Sequence, residues 1–190
     1  MNKKEIRSLF KEKRKTISAK DKLIWDDLLL IQFQKIDLSN IHTVLTYWPM
    51  ENMNEPNTHL ISRYLEHMIP DVRIAYPVTN FETVEMKAVL TNEDTAFEAN
   101  TFNIVEPEFG MELAAEEIDL ILVPMLICDR SGNRVGYGRG FYDRFFNSCS
   151  KTGNKIALSY YDPIDKIDDI SAFDVPLNIC ITPQHIYEFQ

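Results

Sequence analysis

The chain has 190 residues, enough for one domain with a sizeable core, and its 45% hydrophobic and 26% charged content is that of an ordinary soluble globular protein. Its longest apolar run, residues 120–128, contains Pro124 and is far short of the roughly 20 residues that a membrane-spanning helix needs. A net charge of −9 disfavours a general nucleic-acid-binding surface.

The opening residues, Met-Asn-Lys-Lys-Glu-Ile-Arg, are charged and lack the apolar core of a signal peptide. Cys128, Cys149 and Cys180 are odd in number, far apart and in no Cys-x-x-Cys pair, which argues against a disulfide framework or a zinc site. His42, His59, His67 and His185 have no metal-ligand spacing and are read as structural or surface histidines. A cytoplasmic protein without a membrane or nucleic-acid partner is expected; oligomeric state is left open.

In chain order, residues 3–15 read as a helix with Ile6, Leu9, Phe10 and Ile17 on one face and Lys3, Arg7, Lys11 and Arg14 on another. This segment carries a local charge of +5 and leaves −14 for the rest, which suggests one anion site on an acidic body. Lys3 and Arg7, one turn apart, can grip a single anion; residues 11–15 are read as a solvated basic face. Ser18 and Asp21 resemble a capping box that opens a second helix through about Gln34.

Strand-like runs rich in β-branched and apolar residues follow at 43–48, 72–78, 84–90, 118–128, 155–160 and 177–182, with helical patterns at 57–68 and 141–149. The alternation predicts a single-domain α/β fold with a largely parallel central sheet flanked by helices. Ligands in such sheets gather at the carboxyl ends of strands. Residues 50–58, the loop after residue 133, and the stretch 162–174 are the candidate segments.

The loop is the most informative of these. Residues 134–144 read Arg-Val-Gly-Tyr-Gly-Arg-Gly-Phe-Tyr-Asp-Arg, with Gly136, Gly138 and Gly140 alternating and Arg134 and Arg139 interleaved. Alternating glycines let a backbone aim several N–H groups at one point, and arginine forks suit phosphate oxygens. Neither the P-loop nor the dinucleotide fingerprint fits, because Phe141 follows Gly140 and a turn at 129–133 separates the loop from the preceding apolar run. The loop runs directly into the helix at Phe141. Asp143, in its first turn, suits either the helix dipole or a magnesium ion.

Together with Lys3-x-x-x-Arg7, Asn54-Glu55-Pro56-Asn57-Thr58, the run Phe102-Asn-Ile-Val-Glu-Pro107, Val123-Pro124 and Asp174-Val-Pro-Leu, this loop resembles the 5-formyltetrahydrofolate cyclo-ligase (methenyltetrahydrofolate synthetase) family over nearly the whole chain. The resemblance implies a Rossmann-like three-layer fold, similar to that of sugar-phosphate isomerases and CoA transferases. It also implies the Mg²⁺- and ATP-dependent cyclisation of 5-formyltetrahydrofolate to 5,10-methenyltetrahydrofolate, with release of ADP and phosphate. Carried over residue by residue, Lys3, Arg7, Arg134, Gly136, Tyr137, Gly138, Arg139, Gly140, Phe141 and Tyr142 match ATP contacts. Arg139 and Tyr142 are expected to act on the reacting groups, Asp143 and Asp174 to hold magnesium, and Met50, Glu55 and Phe102 to bind the folate.

Met125, Cys128, Asn103 and Phe141 depart from the family pattern, and Phe141 leaves that position without a hydroxyl. Two other readings stand beside this one: a non-catalytic folate- or nucleotide-binding protein, and a sugar-phosphate or CoA-handling enzyme on a related fold.

Overall fold

The computed structural model describes residues 1–147 and 153–189; Cys149 and the end of the helix expected over 141–149 lie outside the described residues. Helix α1 (Lys3–Lys15) begins on Asn2, whose side chain accepts from the Glu5 N–H while Glu5 reaches back to the Asn2 N–H. Helix α2 (Ala19–Phe33) begins on Ser18, which accepts from the Asp21 N–H as its sequence implies. Strand β1 (Thr43–Leu45) is followed by a short 3₁₀ turn and helix α3 (Thr58–Met68). The chain then forms β2 (Arg73–Asn80), β3 (Glu85–Leu90), a small hairpin of β4 (Phe97–Ala99) and β5 (Val105–Pro107), and β6 (Met111–Leu113). After β7 (Leu120–Leu122) come a second hairpin, β8 (Ile127–Cys128) with β9 (Arg134–Val135), helix α4 (Phe141–Asn147), and strands β10 (Asn154–Leu158), β11 (Ile179–Ile181) and β12 (Ile186–Glu188).

Among the described residues, eight strands form one sheet in the order β12-β11-β10-β7-β1-β2-β3-β6. Its middle, β11-β10-β7-β1-β2, is parallel throughout. The pairs toward each edge, β11–β12, β2–β3 and β3–β6, are antiparallel. The expected α/β architecture with a largely parallel centre is what the chain adopts.

Alternation along the strands splits the core into two layers. Leu45, Ile121 and Ala157 point to the face covered by Phe141, Phe145 and Phe146 of α4. Their neighbours Val44, Leu120, Leu122 and Ile156 point the other way, against Leu29 and Phe33 of α2 and Ile61 and Leu65 of α3. A third cluster docks α1: Ile6 and Phe10 pack on Leu126, Ile127, Val135 and Ile167.

Two sequence expectations are corrected here. Residues 118–128 do not form one strand: β7 ends at Leu122, and the chain leaves the sheet at Pro124, which has no N–H to donate to a ladder. The basic stretch 11–15 is not uniformly solvated. Lys13 and Lys15 are exposed, but Arg14 is only 1% exposed and takes the buried slot expected for Leu9, which is 39% exposed. The reason is helical register: residues 6, 10 and 14 lie one turn apart on the docked face.

Candidate functional site

The carboxyl ends of the central strands open into one cavity of about 520 Å³. After β1 the chain brings Tyr47, Trp48, Met50 and Glu55 to its wall, β2 contributes Pro77 and Thr79, and the segment after β7 contributes Pro124. The glycine loop, launched from the β8–β9 hairpin, supplies the wall from Gly136 to Tyr142, with Arg134 and Asp143 beside it. Lys3, Arg7 and Lys11 of α1 close one side, and Asp174 joins them from the loop before β11. All the residues that the sequence proposed for ATP, folate and metal therefore meet in this cavity. Lys11, which sequence reasoning left in solvent, lines it too.

The loop and α1 hold each other. The Arg7 side chain donates its Nε–H to the Gly136 carbonyl at 3.0 Å. Gly138 has φ +95°, and a Cβ placed there would lie 3.2 Å from the Arg7 guanidinium carbon. Glycine at 138 thus serves both a left-handed backbone and the close approach of a cation.

Two ion pairs flank the loop. Arg134 donates to Asp143 at 2.8 Å and to the Val175 carbonyl, while Asp143 also accepts the Val175 N–H at 3.1 Å. Lys3 pairs with Asp174, which also accepts the Ser171 N–H at 2.7 Å. Burial pushes the Asp174 carboxyl up, but the Lys3 and Ser171 bonds outweigh it and hold the group below its ordinary range. Each carboxylate has one oxygen committed and the other without a hydrogen-bond partner among the described residues. Among the described residues no cluster of three or more metal-ligating side chains exists.

Arg139 has no ion-pair partner among the described residues. Its guanidinium lies 5.3 Å from the Phe102 ring centre and 5.6 Å from that of Phe81. Phe81 and Phe102 stack at 3.7 Å, and Phe81 meets Phe141 edge-on at 4.9 Å. Phe102 is 46% exposed and sits at the tip of the β4–β5 hairpin, so it is not part of the core. The tip is shaped by Asn100, whose side-chain oxygen accepts the N–H groups of Phe102 and Ile104. Asn103 has φ +63°, which accounts for a position where glycine is also suited, since asparagine tolerates the left-handed region. Phe141 is buried and contributes an aromatic edge only.

Glu55, from the segment after β1, also lines the cavity. It is 2% exposed, accepts the Met50 N–H at 2.8 Å and accepts the Tyr137 hydroxyl at 2.5 Å. Burial pushes its carboxyl above the ordinary range, against the pull of the Met50 and Tyr137 bonds and the Arg14 charge. The Tyr142 hydroxyl is buried without a hydrogen-bond partner among the described residues. Burial raises its pKa far above the ordinary value, with the Glu55 charge adding to the effect, so it remains a phenol and a donor. An unpartnered buried hydroxyl on a cavity wall is a group that a ligand can satisfy.

A model of the 5-formyltetrahydrofolate cyclo-ligase family matches residues 1–183. The chain belongs to this family. A cyclo-ligase of Mycolicibacterium smegmatis is 40% identical over 92 residues, a match that spans 43% of this chain and 46% of that relative, so about half the length of each. A cyclo-ligase of Mycoplasma pneumoniae is 25% identical over 97% of this chain and all of its own length. The solved structure of the Aquifex aeolicus 5,10-methenyltetrahydrofolate synthetase superposes with a TM-score of 0.81 at 21% identity, covering 100% of this chain and 94% of that one. At that identity the likeness supports the family's fold.

Proposed function

We propose that the chain, acting as one domain, is an ATP-dependent 5-formyltetrahydrofolate cyclo-ligase that forms 5,10-methenyltetrahydrofolate and releases ADP and phosphate. The observation that carries this reading is the division of the cavity. Lys3, Arg7 and Arg139 make a cationic, glycine-rich part fit for phosphates, and the same cavity is lined by buried Glu55, the Met50 side chain and the aromatic rings of Phe81 and Phe102. A pterin ring presents an N–H edge and a flat face; a carboxylate acceptor and a stacked phenyl ring answer both.

The formyl oxygen is a poor leaving group until it is phosphorylated. Transfer of the γ-phosphoryl group to that oxygen releases ADP and leaves an iminium phosphate. Attack by the folate N10 then closes the ring, N10 loses its proton, and phosphate departs with the former formyl oxygen. The chain's own work is alignment and charge neutralisation. Arg139, held over aromatic rings rather than in an ion pair, is free to follow the phosphoryl group. Tyr142 donates its unpartnered hydroxyl to a phosphate oxygen.

Asp143 and Asp174 fit a magnesium ion that arrives with ATP, since each keeps one carboxylate oxygen open and Mg²⁺ takes one or two carboxylates plus phosphates and water. The ion would supply neutralisation of the phosphate charge. A sugar-phosphate or CoA ligand accounts for the arginines but not for a buried carboxylate and an aromatic stack in the same cavity.

Purified protein mixed with 5-formyltetrahydrofolate, ATP and Mg²⁺ is expected to develop the near-UV band of the methenyl product, one ADP appearing per product formed. No ATP-dependent rise of that band overturns the reading.

A further inference from the structure

The sequence placed Arg14 on a solvated basic face and gave it no role in the site, yet it is among the largest fully buried side chains of the protein. It sits at the end of α1 on the docked face, and its surroundings are specific. Nη2 donates to the Met125 carbonyl at 2.5 Å, and Nη1 donates to the Tyr137 hydroxyl at 3.1 Å. The Arg14 carbonyl in turn accepts the Asn54 side-chain N–H at 2.8 Å, one residue before Glu55.

The chemistry of the three side chains dictates a direction. A guanidinium has only donors, so the Tyr137 oxygen must accept from Arg14. The single phenolic proton is then left for the one acceptor within reach, the Glu55 carboxylate at 2.5 Å. Arg14 makes no direct ion pair with Glu55; its charge is relayed through a hydroxyl that it orients. We infer that Arg14 is a positioning residue for the folate half of the site: it locks the Tyr137 proton onto Glu55 and holds that carboxylate turned toward the substrate's N–H edge. This rests on the proposed folate reading of the cavity.

The relay leaves Glu55 its other lone pairs. Each carboxylate oxygen accepts one bond from the protein, Oε2 from the Met50 N–H and Oε1 from Tyr137. Two coplanar acceptor positions remain, matching the paired N–H donors of a pterin edge. Other groups near Glu55 are Lys22 of α2, the hydroxyls of Tyr47 and Tyr142, and the Tyr160 hydroxyl, which donates to Asp26 at 2.6 Å and lies 3.3 Å from the Glu55 carbonyl. Of the two cations, Arg14 alone touches a group bonded to the carboxylate.

The test is a double-mutant cycle read by calorimetric binding of 5-formyltetrahydrofolate and, separately, of ATP. Arg14→Met and Tyr137→Phe are each expected to weaken folate binding about 10-fold or more, the scale of a hydrogen bond to a charged group, and Arg14→Met is expected to leave ATP binding within about twofold. The double variant is expected to bind folate no worse than the weaker single variant, because both break one relay. Arg14→Lys, which keeps the charge and donor-only character, is expected to recover part of the loss. Additive losses, or equal losses for ATP and folate in Arg14→Met, overturn the inference in favour of a purely structural arginine. If Arg14→Met does not fold, Tyr137→Phe still decides: folate binding equal to wild type overturns it. Wild-type protein that binds no folate removes the folate reading itself, and this inference with it; normal wild-type binding with an additive cycle removes the inference alone.

Discussion

The Arg7 guanidinium occupies the space where a side chain at position 138 would begin, 3.2 Å from an ideal Cβ on Gly138, while its Nε–H is fixed to the Gly136 carbonyl. One arginine from α1 is thereby threaded against two glycines of the loop. The loop cannot shift without moving α1, and α1 carries Lys3 into the same cavity.

Gly138→Ala should therefore act on nucleotide binding more than on the core. The substitution forces a left-handed alanine, costing about 1–2 kcal/mol, and displaces the Arg7 guanidinium. The expected outcome is an ATP KM raised about 10-fold with folate KM changed far less. Steady-state kinetics with each substrate varied in turn checks it. Equal effects on both substrates would show that the loop does not belong to the nucleotide half of the cavity.

Arg139→Ala tests transition-state stabilisation. Arg139 is held by aromatic faces and has no carboxylate partner among the described residues, so its charge is available when a phosphoryl group arrives. Removing such a preorganised donor costs about 100-fold in kcat in comparable sites. The expectation is a fall in kcat much larger than any rise in folate KM. A change confined to KM would make Arg139 a binding residue only.

What the sequence revealed and what it hid divide along a physical line. The glycine loop, Glu55 and Phe102 were legible because phosphate binding and pterin binding each demand particular residue types. Arg14 was not, because the acceptors that make its burial tolerable, the Met125 carbonyl and the Tyr137 hydroxyl, come from residues more than a hundred positions away. Its position on the Ile6–Phe10 face was the one available signal, and charge outweighed it. The central strands were recognisable from their own apolar runs. Strands β4, β5, β6 and β12, three residues each, are defined by their pairing partners rather than by local propensity. The break at Pro124 was visible as a proline, but the continuous apolar pattern on either side, buried for different reasons, concealed the exit from the sheet.

Glu55→Gln separates affinity from stability. Burial raises the Glu55 carboxyl above its ordinary 4.5, so the folded state holds a proton more tightly than the unfolded one. The sign follows from linkage: ionising the group costs folding stability, a cost absent below the unfolded value and accumulating as pH rises through the folded one. Relative to wild type, Glu55→Gln should thus gain stability as pH is raised from about 4.5 toward neutrality. Folate binding should behave oppositely, since the acceptor is the carboxylate: wild-type affinity falls as the pH drops through the raised pKa, and Glu55→Gln is weak throughout. Urea unfolding and folate binding across that range check both signs. Unchanged folate affinity in Glu55→Gln removes the residue from the substrate site.

Phe102→Ala probes the hairpin tip. Phe102 is 46% exposed, and its principal contact is the 3.7 Å stack on Phe81, itself only partly buried. Truncating an exposed side chain away from the core changes stability by about 0.5 kcal/mol or less, so the fold is expected to survive intact. Function should suffer out of proportion, because Phe102 offers an aromatic face to the cavity and steadies the Arg139 guanidinium at 5.3 Å. Losing a stacking face costs about 0.5–1.5 kcal/mol beyond area, an expected rise in folate KM of about 3-fold to 10-fold. A smaller fall in kcat should accompany it as Arg139 loses one of its two rings. Phe102→Trp supplies the control: a larger face at the same position should keep folate KM at or below the wild-type value. If alanine and tryptophan leave folate KM equally unchanged, the exposed stack is not a substrate contact, and Glu55 is left as the principal folate determinant in the cavity.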